Sequence, residues 1–168
     1  MGTKRVGWAR IRSLINENEN ELKFRNAQIV TCTGTTTLTA AQSGAIVDWT
    51  HSSAHDITLP AAKKGLTFRF VIAKGHTAEH RILSVGDDHF VGRAQVTSGD
   101  TADKTATQIA NKGDNMIHIN LQANATTLGG DIGDTVDVVC LEDGFWTVSA
   151  QLTVRSGNPG SLAVFSAT

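Results

Sequence analysis

The residues that could do chemistry are six histidines, two cysteines and a few paired acids. His51 and His55 bracket the stretch HSSAHD, with Asp56 adjacent, and His76 and His80 repeat the i, i+4 spacing with Glu79 between them. On a helix that spacing sets two imidazoles on one face, as helical zinc sites require. Neither pair falls in a helical pattern, and in an irregular loop the spacing carries no ligand geometry. Both pairs therefore read as solvated loop histidines, and no metal ligands are assigned. Asp87-Asp88 and Glu142-Asp143 lie in turns, where acids satisfy local backbone donors. General acid–base work needs a shaped pocket that raises one pKa, and nothing in the sequence implies one. Gly129-Gly130-Asp131-Ile132-Gly133 is rich in glycine, but no helix pattern follows it, so it does not read as a phosphate cradle. Cys32 and Cys140 sit in the apolar runs IVTCT and VDVVCL. They read as two small buried hydrophobes, with a single disulfide between them as the alternative. These readings predict a protein that is not an enzyme, with no catalytic residues and no cofactor.

Composition narrows the class. The 168 residues suit one domain plus extensions. Only 18% are charged and 5% aromatic, with no tyrosine, while 40% are hydrophobic. That apolar share is too high for a disordered chain, and the abundance of Thr, Ala and Gly suits short strands. A formal net charge of −1 gives no field to draw in nucleic acid or an anionic membrane. No apolar run approaches the roughly 20 residues of a membrane span. The basic N-terminus lacks the apolar core of a secretory signal. The protein is expected to work where it is made, or in an assembly released from there.

Residues 1–28 differ from the rest. Trp8, Ile11, Leu14, Ile15 and Leu22 follow helical spacing. The charges run against the helix dipole, with Lys4, Arg5, Arg10 and Arg12 first and Glu17, Glu19 and Glu21 last. A helix here would not stand alone. It either packs on its own domain or orders against a partner, and a nucleic-acid role is weakened by the glutamates. Trp8 flanked by arginines is a natural interface anchor.

From residue 29 the chain changes grammar. Leu66, Phe68, Phe70 and Ile72 alternate with Thr67, Arg69 and Val71, the period of a strand with one buried face. Asp143-Gly144 between two apolar runs signals a hairpin. Pro60 marks a strand end. Residues 98–115 read as a long polar excursion, and 155–168 as a flexible tail with Ala163-Val164-Phe165 as a sticky end. About nine short strands result, predicting an all-β fold, an antiparallel sandwich or barrel, over residues 29–154. No repeat argues for a solenoid.

Three stretches carry a resemblance: LTAAQSGAIV, ITLPAAKKGLTFRFVIAKG and, at residues 143–148, DGFWTV. Together they resemble a family of small virion structural proteins of tailed bacteriophages, notably cyanophages. Its members read LTAAxSG, a short strand, TLPA, xxGLxFxFV and an aromatic-capped hairpin. The opening MGTKRVGWARIRSLI is also similar to the start of such proteins. The resemblance covers roughly the first 75 residues and the closing hairpin, and residues 77–133 do not match. It implies a capsid decoration (cement) protein on the virion surface, made in the host cytoplasm. Its partner would be the major capsid protein. It would be a homo-oligomer, a trimer above all, with no nucleic acid and no membrane as partners. The attachment surface expected for it is Trp8, Arg10, Ile11, Arg12, Leu14 and Ile15. A tail, baseplate or fibre component would read similarly. A soluble module binding carbohydrate or a receptor through loops 50–56, 98–115 and 124–133 is the other class, but those loops lack aromatics beyond the neighbouring Trp49.

Overall fold

A computed structural model describes residues 10, 12, 28–99, 104–155 and 159–167. The described chain begins with three passes between two sheets. Strands β1 (Ile29–Cys32), β3 (Ile46–Trp49) and β5 (Thr67–Ile72) lie in one sheet, and β2 (Thr36–Thr37), β4 (Asp56–Thr58) and β6 (His80–Leu83) in the other. Each strand is followed by one in the opposite sheet, so every return adds a parallel neighbour. Parallel pairing normally needs a long crossover. Here the crossover is itself a strand of the facing sheet. The passes are unequal in length, which is why this winding leaves no repeat in the sequence.

The second half fills in around that coil. β7 (His89–Ser98) and β8 (Thr105–Ala110) pair antiparallel, as do β10 (Thr135–Glu142) and β11 (Phe145–Val154). The Asp143-Gly144 hairpin forms as expected, with Gly144 at φ 84°. The first sheet runs β1-β3-β5-β10-β11-β7-β8. The second adds β9 (His118–Leu121) and β12 (Phe165–Ser166) in the order β12-β9-β6-β4-β2. The fold is all-β, but the sheets are mixed rather than antiparallel.

The inner faces share one core that contains Trp49, Phe68, Phe70, Ile82, Ile119 and Trp146, all 1% exposed or less. The outer face of the first sheet follows a continuous register. One cross-strand row begins at Ile29 and passes through Ile46, Arg69, Asp137, Ser149 and Arg93 to end at Ile109. Arg69 and Asp137 meet at 3.5 Å within it.

Two expectations are corrected. The polar excursion at 98–115 contains β8, whose inner face carries Ala106, Gln108 and Ala110 instead of large apolar side chains, so no hydrophobic run announced it. The tail is not loose over residues 159–167. Val164 and Phe165 are buried, and Asn120 holds the segment through its backbone N–H to Val164 O (2.7 Å) and its side chain to Ala163 O (3.1 Å). The two-residue β2 lies in a threonine run that carries no alternating pattern. Cys32 and Cys140 are both buried and free, which leaves the disulfide alternative without support.

Gly92 lies where β7 crosses Val148 of β11. Its φ is 135°, and an added Cβ would stand 2.1 Å from Val148 O. Gly92→Ala meets both backbone strain and a backbone clash, and is expected to destabilise the fold by about 3 kcal/mol or more in a denaturant titration.

Candidate functional site

The two ends of the sandwich hold different chemistry. At one end, the stretches that carried the resemblance are bonded together. The LTAAQSG segment forms a short 3-10 turn at Ala40–Gln42, where Gln42 Oε1 accepts from Thr39 N (2.8 Å). Gly44 N then donates to Thr67 O (2.7 Å), and Thr67 N to Ser43 Oγ (3.1 Å), which fixes the start of β5. The AAKKG turn is held by acids from two other turns. Asp88 Oδ2 accepts from Ala62 N (2.6 Å), and Asp143 Oδ1 from Lys64 N (2.8 Å). Gly65 N donates to Cys140 O (2.8 Å) and Gly144 N to Ala62 O (3.1 Å). Beneath them the Phe68 and Trp146 rings pack at 6.0 Å. The turn acids thus serve backbone donors, now across the fold rather than locally. The backbone N–H of Lys64, and after it the Lys63 side chain, hold the Asp143 carboxyl below the usual carboxylate range.

This is also the end where the N-terminal arm joins the domain. Ile46 N donates to Gln28 O (2.8 Å), and Ile29 pairs with Ile46. Of the expected attachment residues, Arg10 and Arg12 have helical backbone and are exposed. Trp8, Ile11, Leu14 and Ile15 lie outside the described residues.

At the opposite end four histidines gather around Trp49. The His76 and His80 rings stack at 3.7 Å and 11°, and His51 and His55 meet edge-on at 4.2 Å. His55 lies 6.4 Å from His80, and Trp49 stands 4.7 Å from His76 and 5.2 Å from His80. His76 and His80 are both 0% exposed, which overturns the reading of them as solvated loop residues. The i, i+4 spacing does bring each pair together, without a helix. Backbone bonds impose this: His76 N donates to Gly130 O (3.0 Å), and His76 O accepts from Ala123 N (2.7 Å). The contact is between residues far apart in sequence, so spacing alone did not reveal it.

The cluster is built for packing rather than for holding an ion. Imidazole lone pairs lie in the ring plane. An ion shared by two rings stacked 3.7 Å apart would stand well out of both planes, against a zinc–nitrogen bond of about 2.0–2.1 Å. Among the described residues no group of three or more His, Cys, Asp or Glu side chains converges on one point. His80 Nδ1 lies 2.8 Å from Ala78 O and so carries the proton. Among the described residues neither ring nitrogen of His76 has a hydrogen-bond partner. A cleft of about 370 Å³ opens beside His55, lined by Thr35, Ala54, Asp56, Glu79 and Arg81. One of its two acids is occupied: Arg81 grips Asp56 at 2.9 and 2.7 Å. The glycine stretch 129–133 is likewise structural. The buried Asp134 Oδ2 accepts from Gly130 N (3.1 Å), Asp131 N (2.8 Å) and Thr153 N (2.6 Å).

No protein-family model, curated protein or solved structure matches the chain. Among the described residues no helix is long and apolar enough to cross a membrane.

Burial pushes His76 down to about 3, with the His80 ring beside it adding to the shift, and burial also lowers His80. In the unfolded chain both titrate near 6.5, so below that pH the unfolded state binds more protons. Stability is then full above about pH 6.5 and falls as pH drops toward 3, by roughly 1.4 kcal/mol per pH unit for His76, with His80 adding a loss in the same direction. Denaturant titrations from pH 7.5 to 4 are expected to show this loss. His76→Phe, which removes one such group, should give the shallower slope.

Proposed function

We propose that this chain is a virion structural protein of a tailed bacteriophage, and specifically a capsid decoration protein that reinforces the outer shell. One observation carries the reading. The third resembling stretch lies far along the sequence from the first two, yet all three bond together at one end of the sandwich through Ser43, Ala62, Lys64 and Gly144. The resemblance is therefore to one structural unit rather than to scattered words. The functional step is physical: a subunit that bridges neighbouring capsomers buries surface that must be exposed again before the shell can separate. The arm, entering beside Ile46 at that same end, is the attachment element, and Trp8, Arg10, Ile11, Arg12, Leu14 and Ile15 supply its apolar and cationic anchors.

Quantitative mass spectrometry of purified particles tests the reading. Hundreds of copies in a small fixed ratio to the major capsid protein are expected. A handful of copies would move the chain to the tail or a fibre, and absence from clean particles would overturn the reading. Deleting residues 1–25 should leave a cooperatively folding domain that no longer cosediments with shells. Full binding by the truncated protein would remove the arm from the mechanism.

A further inference from the structure

Among the described residues, no strand pairs with the outer edges of β1 and β8, the two ends of the first sheet. β1 reads IVTC and β8 reads TATQIA. Edge strands ordinarily carry lysine, proline or an inward charge, because their unpaired N–H and C=O groups template another chain. Neither strand carries any of these. Each instead presents one large aliphatic side chain, Ile29 at 66% and Ile109 at 63% exposure.

These two isoleucines are the opposite ends of the single cross-strand row described above, so they leave the same face of the sheet. The strands that bear them run in opposite directions, as the chain of parallel and antiparallel pairings from β1 to β8 requires. A second copy set alongside in the same orientation therefore meets β8 with its own β1, antiparallel. In the register that continues the row, Ile109 faces Ile29 of the neighbouring copy, and Thr107 faces Thr31. Apolar side chains brought face to face leave water, and Thr–Thr pairs across strands are stabilising. On the strands next to the joint, the charged side chains on the outer face are Arg93 and Asp48, of opposite sign, so no like charges meet. Pairing β8 with itself about a two-fold axis would bring Ile109 opposite Ile109 only with most of the strand left unpaired.

We propose that the chain assembles with copies of itself by edge addition, β8 of one subunit to β1 of the next. The contact is heterologous and closes into a ring where the rotation per subunit allows. The β8 side is preformed for it. Gln108, on the inner face, donates to Phe165 O (3.1 Å) and accepts from Phe165 N (3.0 Å), tying β8 to the other sheet. A strip of four to six paired residues buries less than the roughly 1,600 Å² of a standard stable interface. The joint therefore forms at high local concentration, the condition met by copies crowded on one surface.

Sedimentation velocity of the full chain at several hundred micromolar tests the proposal. The wild-type protein should be oligomeric, and Ile29→Lys and Ile109→Lys should each be monomeric, with circular dichroism spectra and thermal midpoints matching wild type. An equimolar mixture of the two should form dimers and nothing larger, because one variant keeps an intact β8 and the other an intact β1. The double variant Ile29→Lys/Ile109→Glu should regain the oligomer through a Lys–Glu pair. A monomeric wild type, a single variant that still self-associates, or a mixture that stays monomeric overturns the proposal. The copy number in particles is read separately, so a monomer that decorates shells would overturn the joint and leave the virion reading standing.

Discussion

The structure depends on the seam between β5 and β10. β5 is the last strand that the coil adds to the first sheet, and β10 opens the C-terminal hairpin. Their antiparallel register sets Phe70 beside Val136 and Phe68 beside Val138, all buried, with Arg69 facing Asp137 on the outside. Trp146 then lies over Phe68 and closes the layer. A coil of three parallel rungs has an exposed last strand, and a lone hairpin has only one partner for its apolar face. Joined at this seam, each covers the other's open edge, so neither half has a complete core without it.

The two ends of the sandwich answer the same problem differently. Turns must satisfy backbone groups that no ladder pairs. At the end that receives the arm, Asp88, Asp143, Ser43 and Gln42 take those donors, and the result is a set of turns locked by polar bonds. At the other end Asp134 does this for the glycine stretch, while the space above Trp49 is filled by imidazoles. Filling a core with histidine works only while the rings stay neutral, since among the described residues no acid offsets a proton on His76. A domain built this way is firm near neutral pH, and its weakest point under acid is the end remote from the arm.

The proposed assembly and the fold draw on the same regularity. A sheet whose first and last strands run in opposite directions, with matching side chains at both ends of one row, has the geometry to be continued by a copy of itself. Most single-domain sheets break that continuity with charge at the edges. Here the charged positions, Arg69, Asp137 and Arg93, lie inside the row, and its ends are aliphatic.

The sequence by itself determined the all-β class, the buried face of β5 and the Asp143-Gly144 hairpin. Each is written in a local signal, a period of two or a glycine at positive φ, whereas Asp88 and Asp143 bond to turns distant in sequence and Glu142 ends a strand. Tertiary structure alone decided the rest. Parallel pairing of β1, β3 and β5 follows from where the chain goes between them, which unequal loops conceal. β8 and β12 are strands because neighbours pair with them, through small or few inward side chains that make no hydrophobic pattern. His76 and His80 carry a polar identity in sequence, and only the packing of residues 123 and 130 against them takes their rings out of water.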